Sequence, residues 1–166
     1  KILTRKIDLP DSSMKLPRFV GSNAVFSNCR KYRYALWRRW DSQNPLVLFI
    51  GLNPSTADEV KNDPTIRRCI GFAKDWDYGG VLIANIFAFR STSPERMKNQ
   101  KEPVGKENDW WIIQLAESAE MVIAAWGNHG TFLKRSKQVQ NNLNHMKCMG
   151  LTSQNQPRHP LYLRRN

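Results

Sequence analysis

Five short stretches of this chain gather side chains able to do chemistry. Gly51-Leu52-Asn53-Pro54-Ser55-Thr56-Ala57-Asp58 offers a carboxamide, two hydroxyls and a carboxylate around a proline. A carboxamide orients water or reads the edge of a heterocycle, and Asp58 is a candidate general base. The same side chains also suit a plain turn, because Asn, Ser and Asp satisfy backbone groups locally, so both readings stand at this point. Asp63-Pro64-Thr65-Ile66-Arg67-Arg68 sets two arginines at a helix start, where they oppose the helix dipole. Arg67 and Arg68 therefore serve a phosphate or Asp58, or are simply solvated. Asn85-Ile86-Phe87-Ala88-Phe89-Arg90 joins an amide, two rings and a guanidinium. Rings stack on bases and an amide bonds a base edge, with a core role for either phenylalanine as the plainer alternative. Trp126-Gly127-Asn128-His129-Gly130 is a tight turn whose N–H groups suit a phosphate. His159-Pro160-Leu161-Tyr162 places an imidazole beside a ring.

The three histidines stand at no ligand spacing, so no metal site is expected. No P-loop, GxSxG elbow or HExxH occurs, and no cofactor is implied.

The elements that must position these groups follow from hydropathy. Leu46–Ile50, 81–87 and 121–126 are continuous apolar runs, read as strands covered on both faces. Asp63 at N-cap and Pro64 at N1 open a helix reaching about Asp75. Residues 108–119 and 131–144 have helical spacing, and 148–152 reads as a short fourth strand. Residues 91–104 read as a polar loop. Residues 24–40 alternate basic with aromatic or aliphatic residues, including Arg33, and fit a basic hairpin with strands near 24–27 and 31–38. Residues 1–20 look like an arm before a single domain over 21–166. Strands alternating with helices imply βαβ units, and ligands in such sheets sit beyond the carboxyl ends of the strands. All the polar stretches except the helix start fall at such ends, so one site at one edge is expected.

The net charge of +12 is uneven. Residues 1–45 carry 10 basic and 3 acidic side chains, residues 46–130 carry 9 and 11, and residues 131–166 carry 7 and none. Basic ends interleaved with aromatics favour a polyanionic partner, most simply nucleic acid. Three scattered cysteines without a CxxC pair argue against a disulfide framework and for a reducing cytoplasm. No apolar run approaches the roughly 18 residues of a membrane span, and no leader peptide is evident at the start.

The ordered set LNPSTAD, NDPTIRR, NIFAFRST, AWGNHG and HPLYL resembles a bacterial and phage family of unknown function marked by its LNPSTAD motif. That family is in turn distantly similar to the uracil-DNA glycosylase superfamily. Gly51-Leu52-Asn53-Pro54 resembles the first motif of the mismatch-specific thymine/uracil branch, whose polar residue positions the attacking water. Ala84 to Thr92 resembles that branch's strand running into an Arg-x-Thr loop. Trp126-Gly127 resembles the Leu-Trp-Gly strand end, and His159-Pro160 the His-Pro motif of the loop that enters the minor groove. Two departures stand out: His-Pro-Ser-Pro appears as His-Pro-Leu-Tyr, and Ser55 follows the first motif's proline.

The resemblance implies a three-layer αβα sandwich around a four-stranded, mainly parallel sheet, preceded by the basic hairpin. It implies a DNA glycosylase-like protein that hydrolyses the N-glycosidic bond of an unusual, modified or mismatched base. Asn53 and, less directly, Asp58 would handle the water, while His159 would stabilise the departing base. Pro54, Ser55, Asn85, Phe87 and Trp126 would hold that base. Thr56, Arg33, Arg67, Arg68, Arg90, Gly127, His129 and Arg158 would meet phosphates, with Leu161 and Tyr162 inserted where the base leaves the stack. The rival expectations are a non-catalytic nucleic-acid or nucleotide-binding module on the same fold, and an enzyme acting on a free nucleotide.

Overall fold

The structure, a computed structural model, describes residues 14–164. The apolar run Leu46–Ile50 has no polar side to offer solvent, and it lies at the heart of a six-stranded mixed sheet. The strands are β1 (Ser22–Phe26), β2 (Arg33–Arg39), β3 (Leu46–Gly51), β4 (Gly80–Asn85), β5 (Met121–Ala124) and β6 (Lys147–Cys148). Their spatial order is β1-β2-β4-β3-β5-β6. β3 pairs parallel with β4 and β5, and β5 with β6, whereas β2 pairs antiparallel with both β1 and β4. The basic hairpin therefore extends the sheet instead of preceding it. β2 pairs its backbone with β4 and so covers an edge that β4 would otherwise leave open.

Helices α1 (Pro64–Asp75), α2 (Pro94–Lys98), α3 (Asn108–Ser118) and α4 (Arg135–Asn142) cover the sheet. Successive residues of β3 face opposite ways. Val47 and Phe49 pack with Ile66, Cys69, Phe72 and Ala73 of α1. Leu48 and Ile50 pack with Trp111, Ile112 and Leu115 of α3 and Val139 of α4. α1 starts as its sequence dictates: Asp63 is extended (φ −104°, ψ 176°), its Oδ1 accepts the Ile66 N–H at 2.9 Å, and Pro64 occupies N1.

Five expectations need correction. The second strand stops at Asn85 rather than Phe87, the third at Ala124 rather than Trp126, and the loop over 91–104 contains α2, capped by Ser93. The helix expected over 131–144 divides into a 3-10 segment, Asn128–Lys134, and α4, because Leu133 and Lys134 adopt positive φ of 53° and 55°. The fourth strand is two residues long and ends at Cys148, where Gly150 turns the chain at φ 96° and Leu151 bridges only to Pro157. Most of the expected arm, residues 1–13, lies outside the described residues. Its later part is docked on the core, with the Phe19 ring edge-on to Trp37 at 5.2 Å. No helix among the described residues is long and apolar enough to cross a membrane.

One irregularity decides where a charge goes. Val25 faces Ala35 across β1 and β2, but Phe26 faces Arg33, so Tyr34 is an extra residue, a β-bulge. Tyr34 and Ala35 consequently both join the core on the α3 side, along with Trp37, while Leu36 joins the α1 side. Plain alternation would put Arg33 with Trp37. The bulge resets the period and turns Arg33 to the α1 side.

Candidate functional site

The carboxyl ends of β3 and β4 meet in register at Gly51 and Asn85. A Cβ on Gly51 would stand 2.8 Å from Asn85 Oδ1, so only glycine lets the Asn85 carboxamide lie across the strand end. The backbone just beyond is clamped from behind: Asn108 Nδ2 donates to the carbonyls of Asn85 (2.8 Å) and Ile86 (3.2 Å), and Arg135 Nε to that of Ile86 (2.7 Å). Arg135 is itself buried and paired with Asp109. Asn85 is 5% exposed, yet its Nδ2 has no acceptor. A buried donor left open costs on the order of 1–3 kcal/mol, which a ligand acceptor would recover.

Asn53 is anchored by its nitrogen. Nδ2 donates to Ser91 O (2.9 Å) and Pro54 O (3.2 Å), and the Ser91 N–H returns a bond to Pro54 O (2.8 Å). The Asn-Pro turn and the Arg-Ser-Thr loop thereby lock each other. The Asn53 carbonyl oxygen remains as the group to hold a water or ligand.

These groups open on a narrow cleft of about 40 Å³, or about 400 Å³ when the open solvent at its mouth is counted. Gly51, Asn53, Pro54 and Ser55 form one wall. Asn85, Ile83, Phe49 and Ala125 lie at the sheet, and Arg33 comes from β2. Asp63, Thr65, Ile66 and Cys69 come from α1 and its cap, and Pro160 from the C-terminal segment. β2 runs antiparallel to β4, so its first residue lies beside the carboxyl end of β4, where the Arg33 N–H bonds Ala88 O at 3.0 Å. Burial pushes the Arg33 guanidinium down to about 10, so it stays charged at neutral pH. Nη1 donates to Ala57 O at 3.1 Å, while Nε is buried without an acceptor. Burial also pushes the Cys69 thiol up, leaving it inert.

Of the expected site residues, Asn53, Pro54, Ser55, Asn85 and Arg33 converge on this cleft. His159 adjoins it through Pro160. Its Nδ1 accepts the Leu161 N–H at 3.2 Å, which fixes the tautomer with the proton on Nε2. Burial lowers its affinity for a second proton, partly opposed by the field of Asp63. Arg68 supports this segment, with Nε donating to Pro160 O at 3.3 Å and its guanidinium resting over the Phe72 ring. Leu161 and Tyr162 form a short 3-10 turn with Pro160, and Tyr162 is 82% exposed. Arg90 lies near Arg33, stacked over Phe26 and donating to Arg30 O.

Other residues are placed elsewhere. Asp58 is not part of the cleft wall. Its Oδ1 accepts the N–H groups of Val60 (3.0 Å) and Lys61 (2.7 Å), which hold the carboxyl below its usual range. Phe87 is fully buried on the α3 side against Phe132, because the strand end continues into the core before the chain turns out. Trp126 is equally buried there. Its indole covers Gly130, donates to Gln156 Oε1 at 3.2 Å, and helps wall a separate cavity with Leu143, Met146 and Cys148. Neither ring can stack on a ligand in the cleft. The Gly127 N–H is committed to Pro157 O at 2.8 Å, so it docks the C-terminal segment instead of a phosphate. Thr56, Arg67, His129 and Arg158 are exposed outside the cleft, with Arg67 bonding Asn62 O and Arg158 bonding Leu151 O.

Asp63 was hidden behind its capping role: one carboxylate oxygen caps α1, yet among the described residues it is the acid of the cleft wall. Its position directly before a proline, which looks purely structural, carries no signal of the second role.

No curated protein and no solved structure matches the chain. A family model described as "Protein of unknown function (DUF1643)" matches residues 33–161, most of the chain. That span begins at Arg33, ends just past Pro160 and holds every residue of the cleft wall, and the chain belongs to the DUF1643 family.

Proposed function

We propose that the chain is a base-flipping, glycosylase-like protein that takes an unusual, modified or mismatched base of DNA into this cleft, on a three-layer αβα fold akin to the uracil-DNA glycosylases. The observation that carries the reading is the meeting of Asn53, Asn85 and the His159-Pro160 segment at one strand edge, beside the exposed Leu161 and Tyr162. Hydrolysis would break the C1′–N bond with both electrons leaving on the base, and water would add to the oxocarbenium-like sugar. The Asn53 carbonyl orients that water. Asp63 replaces Asp58 as the carboxylate able to take its proton. The neutral His159 offers Nε2–H to the departing base, and the Asn85 Nδ2 bonds an acceptor on its edge. Leu161 and Tyr162 fill the space left in the stack, offsetting the few kcal/mol that extrusion costs.

The test is a panel of duplexes carrying uracil, mismatched, damaged and phage-modified bases, scored for abasic product. Asn53→Ala is expected to remove product from any active substrate while leaving DNA affinity nearly unchanged. Absence of product across the panel counts against the chemistry.

A non-catalytic binding module is the second reading. It is favoured by the burial of Phe87 and Trp126, which leaves no exposed ring in the cleft to hold a base for reaction. It predicts binding that weakens steeply with salt and yields no product.

A further inference from the structure

We propose that the group entering the cleft carries a negative charge, and that Arg33 is the residue that selects it. The inference rests on the reading that the cleft receives a ligand, and it names that ligand's class: an acidic heterocycle, such as a carboxylated base, rather than a neutral one.

The argument is one of charge balance. Arg33 is 2% exposed, and β2 delivers it to the cleft only because of the bulge at Tyr34. Buried charges are ordinarily paired. Arg33 takes no part in the ion pairs Arg30–Glu59, Lys98–Glu95 and Arg135–Asp109. The comparison with Arg135 is direct: both guanidiniums are buried, but Arg135 has its carboxylate and Arg33 does not. Asp63 contributes a favourable field from beyond ion-pair distance, while Arg38 and Arg90 oppose the charge. Arg90 is a second guanidinium with a buried, unpartnered Nε. Asn85 adds an open donor in the same cleft. Beside the Asp63 carboxylate and the Asn53 carbonyl oxygen, the cleft holds two unused donors, Arg33 Nε and Asn85 Nδ2, one of them a full cation, and an anionic acceptor satisfies both. A structural role for Arg33 is limited to its bond to Ala57 O, which a neutral donor would supply equally well.

The experiment measures binding to the full chain at fixed ionic strength, by calorimetry and by thermal shift. The probes are 6-carboxyuracil, uracil and inorganic phosphate, tested on wild type, Arg33→Met and Arg33→Lys. Saturable binding of 6-carboxyuracil is expected, with uracil weaker by roughly ten- to hundredfold, the worth of a charged hydrogen bond. Phosphate binding alone would assign the anion to a phosphate group and overturn the acidic base. Arg33→Met is expected to abolish the preference, with a small loss of melting temperature from the buried bond to Ala57 O, and Arg33→Lys to keep part of it. Equal binding of uracil and 6-carboxyuracil, binding of no probe at millimolar concentration, or a preference that survives Arg33→Met each overturns the proposal. If Arg33→Met melts early, the Lys variant decides: a preference for the anion kept in part or in full supports the charge, and its loss in a stably folded Lys variant refutes it. The duplex panel is independent of these outcomes. Anion selectivity without product sinks only the glycosylase chemistry, and excision of neutral bases with Arg33 dispensable sinks only this inference.

Discussion

Replacing Arg38 with methionine should unlatch the loop behind the cleft. Arg38 is buried, and its guanidinium reaches across from β2 to the segment that follows the Asn-Pro turn. Nη2 donates to Asp58 O at 2.7 Å and Lys61 O at 3.2 Å, Nε to Asn62 Oδ1 at 2.9 Å, and Nη1 to Glu59 O at 3.3 Å. Methionine keeps much of the volume and removes every donor. Lys61 is exposed and Glu59 partly so, so water replaces the longer, weaker bonds to their carbonyls at little cost. Three short bonds are the ones to count: to Asp58 O, to Asn62 Oδ1 and, within β2, from Nη1 to Trp37 O at 2.9 Å. At about 1.5 kcal/mol each for a charged donor, the loss is about 4.5 kcal/mol. Urea unfolding should show the midpoint falling by that loss divided by the slope, with the slope itself unchanged. Amide exchange should accelerate over 57–62 before the core strands. Arg39→Met is the control. Arg39 sits on the same strand but is half-buried, and bonds only the turn carbonyls of Asp41, Ser42 and Asn44, so about 1 kcal/mol is expected. A loss under about 1 kcal/mol for Arg38→Met, or equal losses for the two variants, would refute the view that Arg38 is the latch.

Three further outcomes follow from the same geometry. Gly51→Ala forces the Asn85 carboxamide to rotate away from a 2.8 Å contact; because that side chain is hydrogen-bonded to nothing, stability should fall by only about 1 kcal/mol while affinity for any cleft ligand falls about tenfold, and the reverse pattern in calorimetry would show Asn85 to be structural. His159 takes up its second proton less readily in the folded chain than in the unfolded one, so its contribution to stability is full above the ordinary histidine value of about 6.5 and is lost as pH falls from there through the lower folded value. His159→Gln should flatten that part of a stability–pH curve, and an unchanged slope would contradict the burial. Tyr162→Ala should leave stability within about 0.5 kcal/mol, since the ring is 82% exposed, yet weaken binding to duplex DNA; unchanged affinity would remove the wedge from the proposed function.

The parts of this molecule legible in the sequence are those that local chemistry determines. A continuous apolar run has one stable placement, so β3 was plain, and the Asp63-Pro64 cap announced α1 because it uses only neighbouring residues. Polar groups at successive strand ends pointed to a shared edge, and Asn53, Ser55 and Asn85 do meet there. Burial was harder to read. Phe87 and Trp126 follow the strand ends closely enough to look exposed, but their large apolar surfaces are drawn into the α3-side core. The arginines of the hairpin looked like a phosphate-binding face, yet Arg33 and Arg38 turn inward, because loop carbonyls that lack sheet partners attract guanidinium donors. Asp58 resembled a base until its turn was seen to occupy it, and Asp63 resembled only a cap.

The bulge at Tyr34 also bears on how this family can vary. Substitutions on β2 change what a given position carries, but the compartment into which Arg33 projects depends on a count of residues. Gain of one residue in β1 between Val25 and Phe26 would pair Tyr34, restore simple alternation, keep the arginine in the sequence and send it to the opposite side of the sheet. The cleft would then lose its cation with no change visible at any of its other walls. Strand length, read against the β1 register, is therefore the quantity to compare when relatives of this chain are sorted by what they bind.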